Sequence, residues 1–386
     1  MRTLPKGLTA ALGLMLALAA GPASAATLFQ ETDLVSDGSV PAAHIDPDLN
    51  NPWGISHSPT SPFWISDNGR GLSTLYNGAG LKQNLVVTIP PPAGGSPPAA
   101  PTGNVFNNTG AFAVSNGTTS APAAFLFATE DGTISGWSPT VNATNAVLAV
   151  DNSVSGAVYK GLAISGSGSS ARLYAANFNS GGVELYDSSF HLLKTFTDTS
   201  LPAGYAPFNV QNLNGRLFVT FAVQNAAKHD DVAGAGNGFV DEFDLNGNFV
   251  RRVASGGVPT SPLNSPWGLD FAPGSFGAFA NDLLVGNFGD GRIDAFDPDT
   301  GTFLGQLSDP AGAPMEITDL WALINGNGAA GGDSNLVYFS AGLADEAGGL
   351  FGSLGPVGLG VPEPATIALL LSGLASLAAI QRKRSG

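Results

Sequence analysis

The chain has 386 residues, no cysteine, and 15 Lys and Arg against 30 Asp and Glu, for a net charge of −15. That balance excludes a surface built to hold nucleic acid or an anionic membrane, and the missing cysteines exclude disulfide staples and thiol chemistry. With 52 Gly, 27 Pro, few charged helix formers and short runs rich in Val, Phe, Leu and Thr, the composition predicts an all-β body with many turns.

The first predicted element is a helix to be discarded. Arg2 and Lys6 precede an apolar stretch from Leu8 to Ala20, and Ala23-Ser24-Ala25 then offers an A-x-A cleavage site. This order predicts a signal peptide over residues 1–25, cut after Ala25, with Ala23 and Ala25 as the small residues the peptidase needs. A buried N-terminal helix is the plainer alternative.

A repeat of about 50–60 residues follows, a period in the range of propeller blades. Asn51-Pro52-Trp53-Gly54-Ile55 leads into Phe63-Trp64-Ile65-Ser66-Asp67-Asn68 and then Leu72-Ser73-Thr74-Leu75-Tyr76. A fainter copy runs from Thr102 through Phe125-Leu126-Phe127-Ala128-Thr129. Clearer copies begin at Lys160-Gly161, at Phe208-Asn209 and at Ser265-Pro266-Trp267-Gly268, and a last faint one near Leu320. Each unit reads as a short inner strand at the Gly, a wholly apolar second strand (LYAAN, LFVTF, LLVGN) and an alternating third strand (VELYD, RIDAFD). A turn such as Asp297-Pro298-Asp299-Thr300-Gly301 then leads to an outer strand. Six such units predict a six-bladed β-propeller over residues 26–360, with seven blades as the alternative count. Thr32 to Ser36 precedes the first unit without one of its own, so it is expected to complete the last blade after Gly349-Leu350-Phe351 and close the ring. Ile89 to Pro98 is too rich in proline for a strand and reads as a loop between the first two blades.

Three places carry candidate chemistry. The segment Lys228 to Gly238 interrupts the fourth unit between its second and third strands. It sets His229, Asp230 and Asp231 side by side ahead of a glycine-rich stretch, a candidate site for Ca²⁺; the plainer reading is a solvated loop. Polar residues end the second strands, Asp67 and Asn68, Glu130 and Asp131, Asn177 and Asn287, and are candidates for a ring at the channel mouth, although turn chemistry explains the same residues. Asp244-Leu245-Asn246-Gly247-Asn248 resembles the start of a calcium loop but lacks the distal Glu, and reads as a hairpin turn. The four histidines, His44, His57, His191 and His229, form no zinc motif, and no serine sits in a G-x-S-x-G elbow. No residue is therefore assigned as catalytic. Trp53 and Trp267 read as core anchors at equivalent blade positions.

The chain ends in Val361-Pro362-Glu363-Pro364, an apolar run from Ala365 to Ile380, and Arg382-Lys383-Arg384. The two prolines make a stiff, exposed segment that cannot join the helix behind it. Sixteen helical residues span roughly 24 Å, short of a ~30 Å hydrocarbon core, and the arginines can snorkel to cover part of the deficit. A basic cluster at the end favours a cytoplasmic C-terminus. This order of motif, transmembrane helix and basic stop over residues 361–386 resembles the PEP-CTERM sorting signal of Gram-negative bacteria. The resemblance implies recognition of Pro362, Glu363 and Pro364 by an exosortase-type membrane protease, with Arg382, Lys383 and Arg384 as the stop.

The body resembles the NHL-like propellers and, more closely, an uncharacterised family of exported bacterial propellers that often carry such a tail. The residues that carry this are Asn51 to Ile55, the Ile89–Gly103 loop, Lys228 to Asp241, and Ser265 to Pro273, and the likeness spans most of residues 30–355. It implies the fold and no reaction. Removing both terminal segments takes away Arg2, Lys6, Arg382, Lys383, Arg384 and one acid, Glu363, so the body carries −19. The expectation is an exported protein, anchored transiently in the inner membrane and then placed at the cell surface or outside. It would act there as a non-enzymatic binding or structural component. Its expected partners are the export machinery, the sorting protease, and extracellular polysaccharide or surface proteins. A Ca²⁺-dependent lactone or ester hydrolase with its site at the channel mouth is the alternative.

Overall fold

A computed structural model describes residues 27–358. The segments expected as signal peptide (1–25) and sorting tail (361–386) lie outside the described residues. Among the described residues no helix is long and apolar enough to cross a membrane.

Strand β1 (Phe29–Ser36) and the short β2 (His44–Ile45) come first. Blade 1 follows as β3 (Pro52–Ser56), β4 (Phe63–Asp67), β5 (Leu72–Tyr76) and β6 (Lys82–Thr88). Blade 2 holds β7 (Pro101–Phe106), an inserted hairpin of β8 (Ala113–Ser115) and β9 (Ser120–Pro122), then β10 (Phe125–Thr129), β11 (Thr133–Trp137) and β12 (Val147–Asp151). Blade 3 is β13 (Tyr159–Ser165), β14 (Arg172–Asn177), β15 (Gly182–Tyr186) and β16 (Leu192–Phe196). Blade 4 is β17 (Tyr205–Leu213), β18 (Arg216–Val223), β19 (Phe239–Phe243) and β20 (Phe249–Ala254). Blade 5 is β21 (Pro266–Phe271), β22 (Leu283–Asn287), β23 (Ile293–Phe296) and β24 (Phe303–Gln306). Blade 6 is β25 (Leu320–Asn325), β26 (Val337–Ala341) and β27 (Leu350–Pro356), completed by β1. The molecule is a six-bladed β-propeller, and among the described residues its helical segments are short 3₁₀ turns.

Closure follows the expected route. β1 runs antiparallel to β27 from Phe29 opposite Pro356 to Ser36 opposite Leu350, with a bulge at Asp33–Val35. The first described strand thus becomes the outer strand of the last blade, and the ring has no open seam. The β8–β9 hairpin was not legible as a strand pair. Its Val114 and the flanking Phe112 and Ala123 are buried against blades 2 and 3, so it acts as a tertiary cover rather than a repeat element.

The inner strands β3, β7, β13, β17, β21 and β25 touch one another in sequence around the ring. In every blade the ladder between first and second strands shifts register at the same point, next to Trp53, Thr102, Lys160, Phe208, Trp267 or Trp321. A bulge there turns one side chain per blade towards the axis. The next residue is Gly in four blades because the neighbouring inner strand passes too close for a side chain. A Cβ on Gly103 would stand 2.5 Å from the Leu162 amide nitrogen, and one on Gly54 2.5 Å from the Thr102 carbonyl oxygen. Blade 4 has Asn209 instead, and its side-chain amide donates to the Trp267 carbonyl at 2.7 Å.

Candidate functional site

The axial side chains do not leave an open hole. Trp53 and Trp321 stack with ring centres 3.4 Å apart, and Trp267 packs edge-on against both. Phe208 and Phe288 close on Trp321, and Phe178 on Phe208. Trp53, Trp267 and Trp321 are each 1% exposed, so they are core anchors and present no face to a ligand.

Above this plug, at the end where inner strands begin and second strands finish, lies a group of polar side chains drawn from five blades. Its centre is Lys160, which occupies the axial position that blades 1, 4, 5 and 6 give to an aromatic residue. The side chain is 2% exposed. Its ammonium is ion-paired with Glu130 and lies 3.6 Å from an Asp230 oxygen. It also rests 4.9 Å from the centre of the Trp53 ring and 5.9 Å from that of Phe178. A buried charge is tolerable only when paired in this way, and ring faces add attraction. The Lys160 carbonyl accepts from Trp267 Nε1 at 3.1 Å, which pins the backbone beneath the charge.

The remaining groups are paired in turn. Asn68 Nδ2 donates to the second Glu130 oxygen at 2.8 Å. Asn51 Nδ2 donates to Glu346 Oε2 at 2.7 Å, while Asn51 Oδ1 accepts from Trp321 Nε1 at 3.3 Å. Glu346 arrives on an unusual piece of backbone: Leu343, Ala344, Asp345 and Glu346 all have positive φ, between 50° and 64°. A left-handed turn of L-residues costs roughly 1–2 kcal/mol per residue and persists only where surrounding contacts impose it. Burial pushes the Glu346 carboxyl up to about 7, with Glu130 adding to the rise and Lys160 opposing it.

The candidates named from sequence divide. His229 and Asp230 are at the mouth: His229 Nδ1 lies 2.7 Å from Asp230 Oδ1, and the imidazole is 45% exposed. Burial disfavours the Asp230 charge, but His229 and Lys160 outweigh it and hold the carboxyl below its usual range. Asp231 lies beside the group but turns into the protein; burial raises its pKa, and Ser265 and the Lys160 charge oppose that rise. Glu130 takes its place, and ligand atoms of Glu130, His229 and Asp230 lie within 4.8 Å of one another.

Asp67, Asn177 and Asn287 sit at equivalent second-strand ends, yet they are buried inside their blades and used there. Asn177 Oδ1 accepts the Val158 amide and its Nδ2 donates to Glu184 Oε1 at 2.7 Å. Asn287 repeats this with the Asn264 amide and Asp294, and Asp67 accepts the Thr74 amide at 3.0 Å. They brace strand ends from within, and the next residue in blades 1 and 2, Asn68 and Glu130, reaches the mouth instead. Asp131 accepts the Ala100 amide at 2.8 Å. Asp244 caps a hairpin turn through the Asn246 and Asn248 amides, as its spacing implied.

Lys160, Asn51 and Glu346 were not singled out from the sequence. Lys160 had a signal, a charged residue in front of the blade-3 glycine where Trp53 and Trp267 stand in blades 1 and 5. Glu346 had none, because its position depends on the left-handed turn.

The donor set for a Ca²⁺ ion is thus partly present, but its two carboxylates, Glu130 and Asp230, already share the Lys160 ammonium. A second cation between them meets that charge. The residues as they stand do not fit a resident Ca²⁺.

No family model matches the chain. It is 35% identical over 343 residues to uncharacterized protein R648 of Acanthamoeba polyphaga mimivirus, covering 86% of this chain and 82% of that protein. It is 33% identical over 344 residues to uncharacterized protein L690 of the same virus, covering 86% and 87%. Among solved structures, a streptogramin B lyase is similar at 12% identity with a TM-score of 0.48, over 85% of this chain and 97% of that one. That similarity bears on no activity. By sequence the chain belongs to the protein family that includes the mimivirus proteins R648 and L690.

Proposed function

We propose that the protein is an exported, non-enzymatic binding propeller whose upper mouth receives polysaccharide of the cell surface or extracellular matrix. The observation that carries this reading is the pre-pairing of the mouth. Asn51, Asn68, Glu130, Asp230 and Glu346 are held by one another and by Lys160 before any ligand arrives. Groups fixed in advance by their own pairing lose little entropy on binding. Planar amides and carboxylates side by side suit the paired hydroxyls of a sugar. Export is supported by the basic, apolar and A-x-A order of residues 1–25, and release from the membrane by the PEP-CTERM resemblance of residues 361–386.

The test is titration calorimetry of the full exported chain against neutral and acidic polysaccharides. Binding that is lost in Asn68→Ala and in Glu346→Ala is the expected result. Binding left unchanged by both substitutions, or no binding to any glycan, counts against the reading. A Ca²⁺-dependent lactone or ester hydrolase is the second reading, favoured by the proximity of Glu130, His229 and Asp230. Lys160 among those groups opposes it. Calcium-stimulated turnover in a lactone and ester screen is the outcome that would replace the first reading by the second.

A further inference from the structure

Lys160 has a character that binding alone does not explain. In the other five blades the axial position holds Trp53, Thr102, Phe208, Trp267 or Trp321, all uncharged. Only blade 3 brings a charge there, and that charge lands among the described His, Asp and Glu groups that approach metal-binding geometry: Glu130, His229 and Asp230. These residues come from the end of β10 and from the insertion in blade 4, on either side of blade 3. Both carboxylates turn towards the ammonium, and Asp230 Oδ1 also lies 2.7 Å from His229 Nδ1, which ties the imidazole to the group.

We propose that Glu130, His229 and Asp230 form a cation site whose resident cation is the Lys160 ammonium, and that a divalent transition ion takes its place when the ammonium is removed. The donor set decides the class of ion. One imidazole and two carboxylates match the Zn²⁺ preference for mixed nitrogen and oxygen ligands, whereas Ca²⁺ gains nothing from imidazole. The exposed edges of His229 and Asp230 give an ion a route in. In the native chain the lysine supplies the central charge, so the mouth keeps its shape without metal. This inference does not depend on polysaccharide binding; it concerns what holds the mouth together.

The experiment is equilibrium dialysis and calorimetry of the full chain with ZnCl₂ alone and CaCl₂ alone, on wild type, Lys160→Ala, and Lys160→Ala combined with Asp230→Asn. Lys160→Ala is expected to take up one Zn²⁺ per chain at least about tenfold more tightly than wild type, a gap of about 1.4 kcal/mol. Zn²⁺ should raise the Tm of Lys160→Ala and leave that of wild type unchanged, and Asp230→Asn should erase both effects. If Lys160→Ala folds only with Zn²⁺ present, that too supports the proposal. If it folds under neither condition, Lys160→Met keeps the stem volume and is read by the same criteria. A folded variant that takes up no Zn²⁺, or a wild type that binds it as tightly as the variant, overturns the proposal.

Discussion

Lys160 and Asp294 illustrate two ways in which this protein buries a charge-bearing residue. The Lys160 ammonium is buried against two carboxylates, Glu130 and Asp230. Removing one partner from such a pair costs about 3–5 kcal/mol, since the other charges stay behind uncompensated. Lys160→Met is therefore expected to lower the urea midpoint, and Lys160→Met combined with Glu130→Gln to recover part of the loss. Among the described residues no cation forms a salt bridge with Asp294, and Arg292 only weakly favours its charge. Asp294 is 0% exposed and receives Asn287 Nδ2 and Gln306 Nε2, each at 2.9 Å. Burial lifts its carboxyl to about 7, although both hydrogen bonds act the other way. A folded-state pKa above the unfolded value means the stabilising contribution is complete below about pH 4 and is lost as pH rises through about 7. The Tm should fall between pH 5 and pH 8, and Asp294→Asn should flatten that slope. The carboxyls held low, such as Glu242 between Arg216 and Arg251, act in the opposite sense below about pH 4 and leave this window untouched.

At the scale of elements, the inner strands and the closing strand carry the most consequence per residue. Gly103 lies where β7 passes β13, and a Cβ there would meet backbone rather than a movable side chain. Gly103→Ala should cost about 1–3 kcal/mol by overpacking, measured by equilibrium unfolding in urea. Deleting residues up to Ser36 removes β1 and leaves β27 an open edge. Calorimetry should then show a lower and broader transition, because blade 6 is bound on one side only. The strands and the closure were readable because alternation, apolar runs and Asp-Gly-type turns are local signals with fixed periods. The β8–β9 hairpin was not, since Ala113–Ser115 and Ser120–Pro122 are too short to carry a period. They pair with each other, and Val114 joins Phe112 and Ala123 in the hydrophobic cover.

For the whole molecule, the ring explains how the candidate site is assembled. Each blade contributes little: one axial side chain, one residue beyond the second strand, or one loop. The site exists because the ring brings Asn51, Asn68, Glu130, Lys160, Asp230 and Glu346 to one mouth. The two terminal sequence patterns belong to the same scale. If the tail is a sorting signal, intact-mass spectrometry of the exported chain should find an N-terminus at Ala26 and the loss of residues beyond the Pro362-Glu363-Pro364 motif. A mature chain still ending in Arg384-Ser385-Gly386 would count against processing.

The sequence alone determined the repeat, with six blades expected and seven left open, the order of strands within each blade and the closing strand. These follow from short-range periodicity and local turn signals. It also brought His229 and Asp230 forward as neighbours, and brought Asp67, Asn177 and Asn287 forward as equivalent positions. Only the tertiary structure decided that the last three are spent inside their blades, that Glu130 rather than Asp231 joins His229 and Asp230, and that a lysine stands among them. The physical reason is that one bulge per blade chooses which side chain faces the axis, and a left-handed turn chooses where Glu346 points. Both are set by packing against neighbouring blades, which no local pattern records.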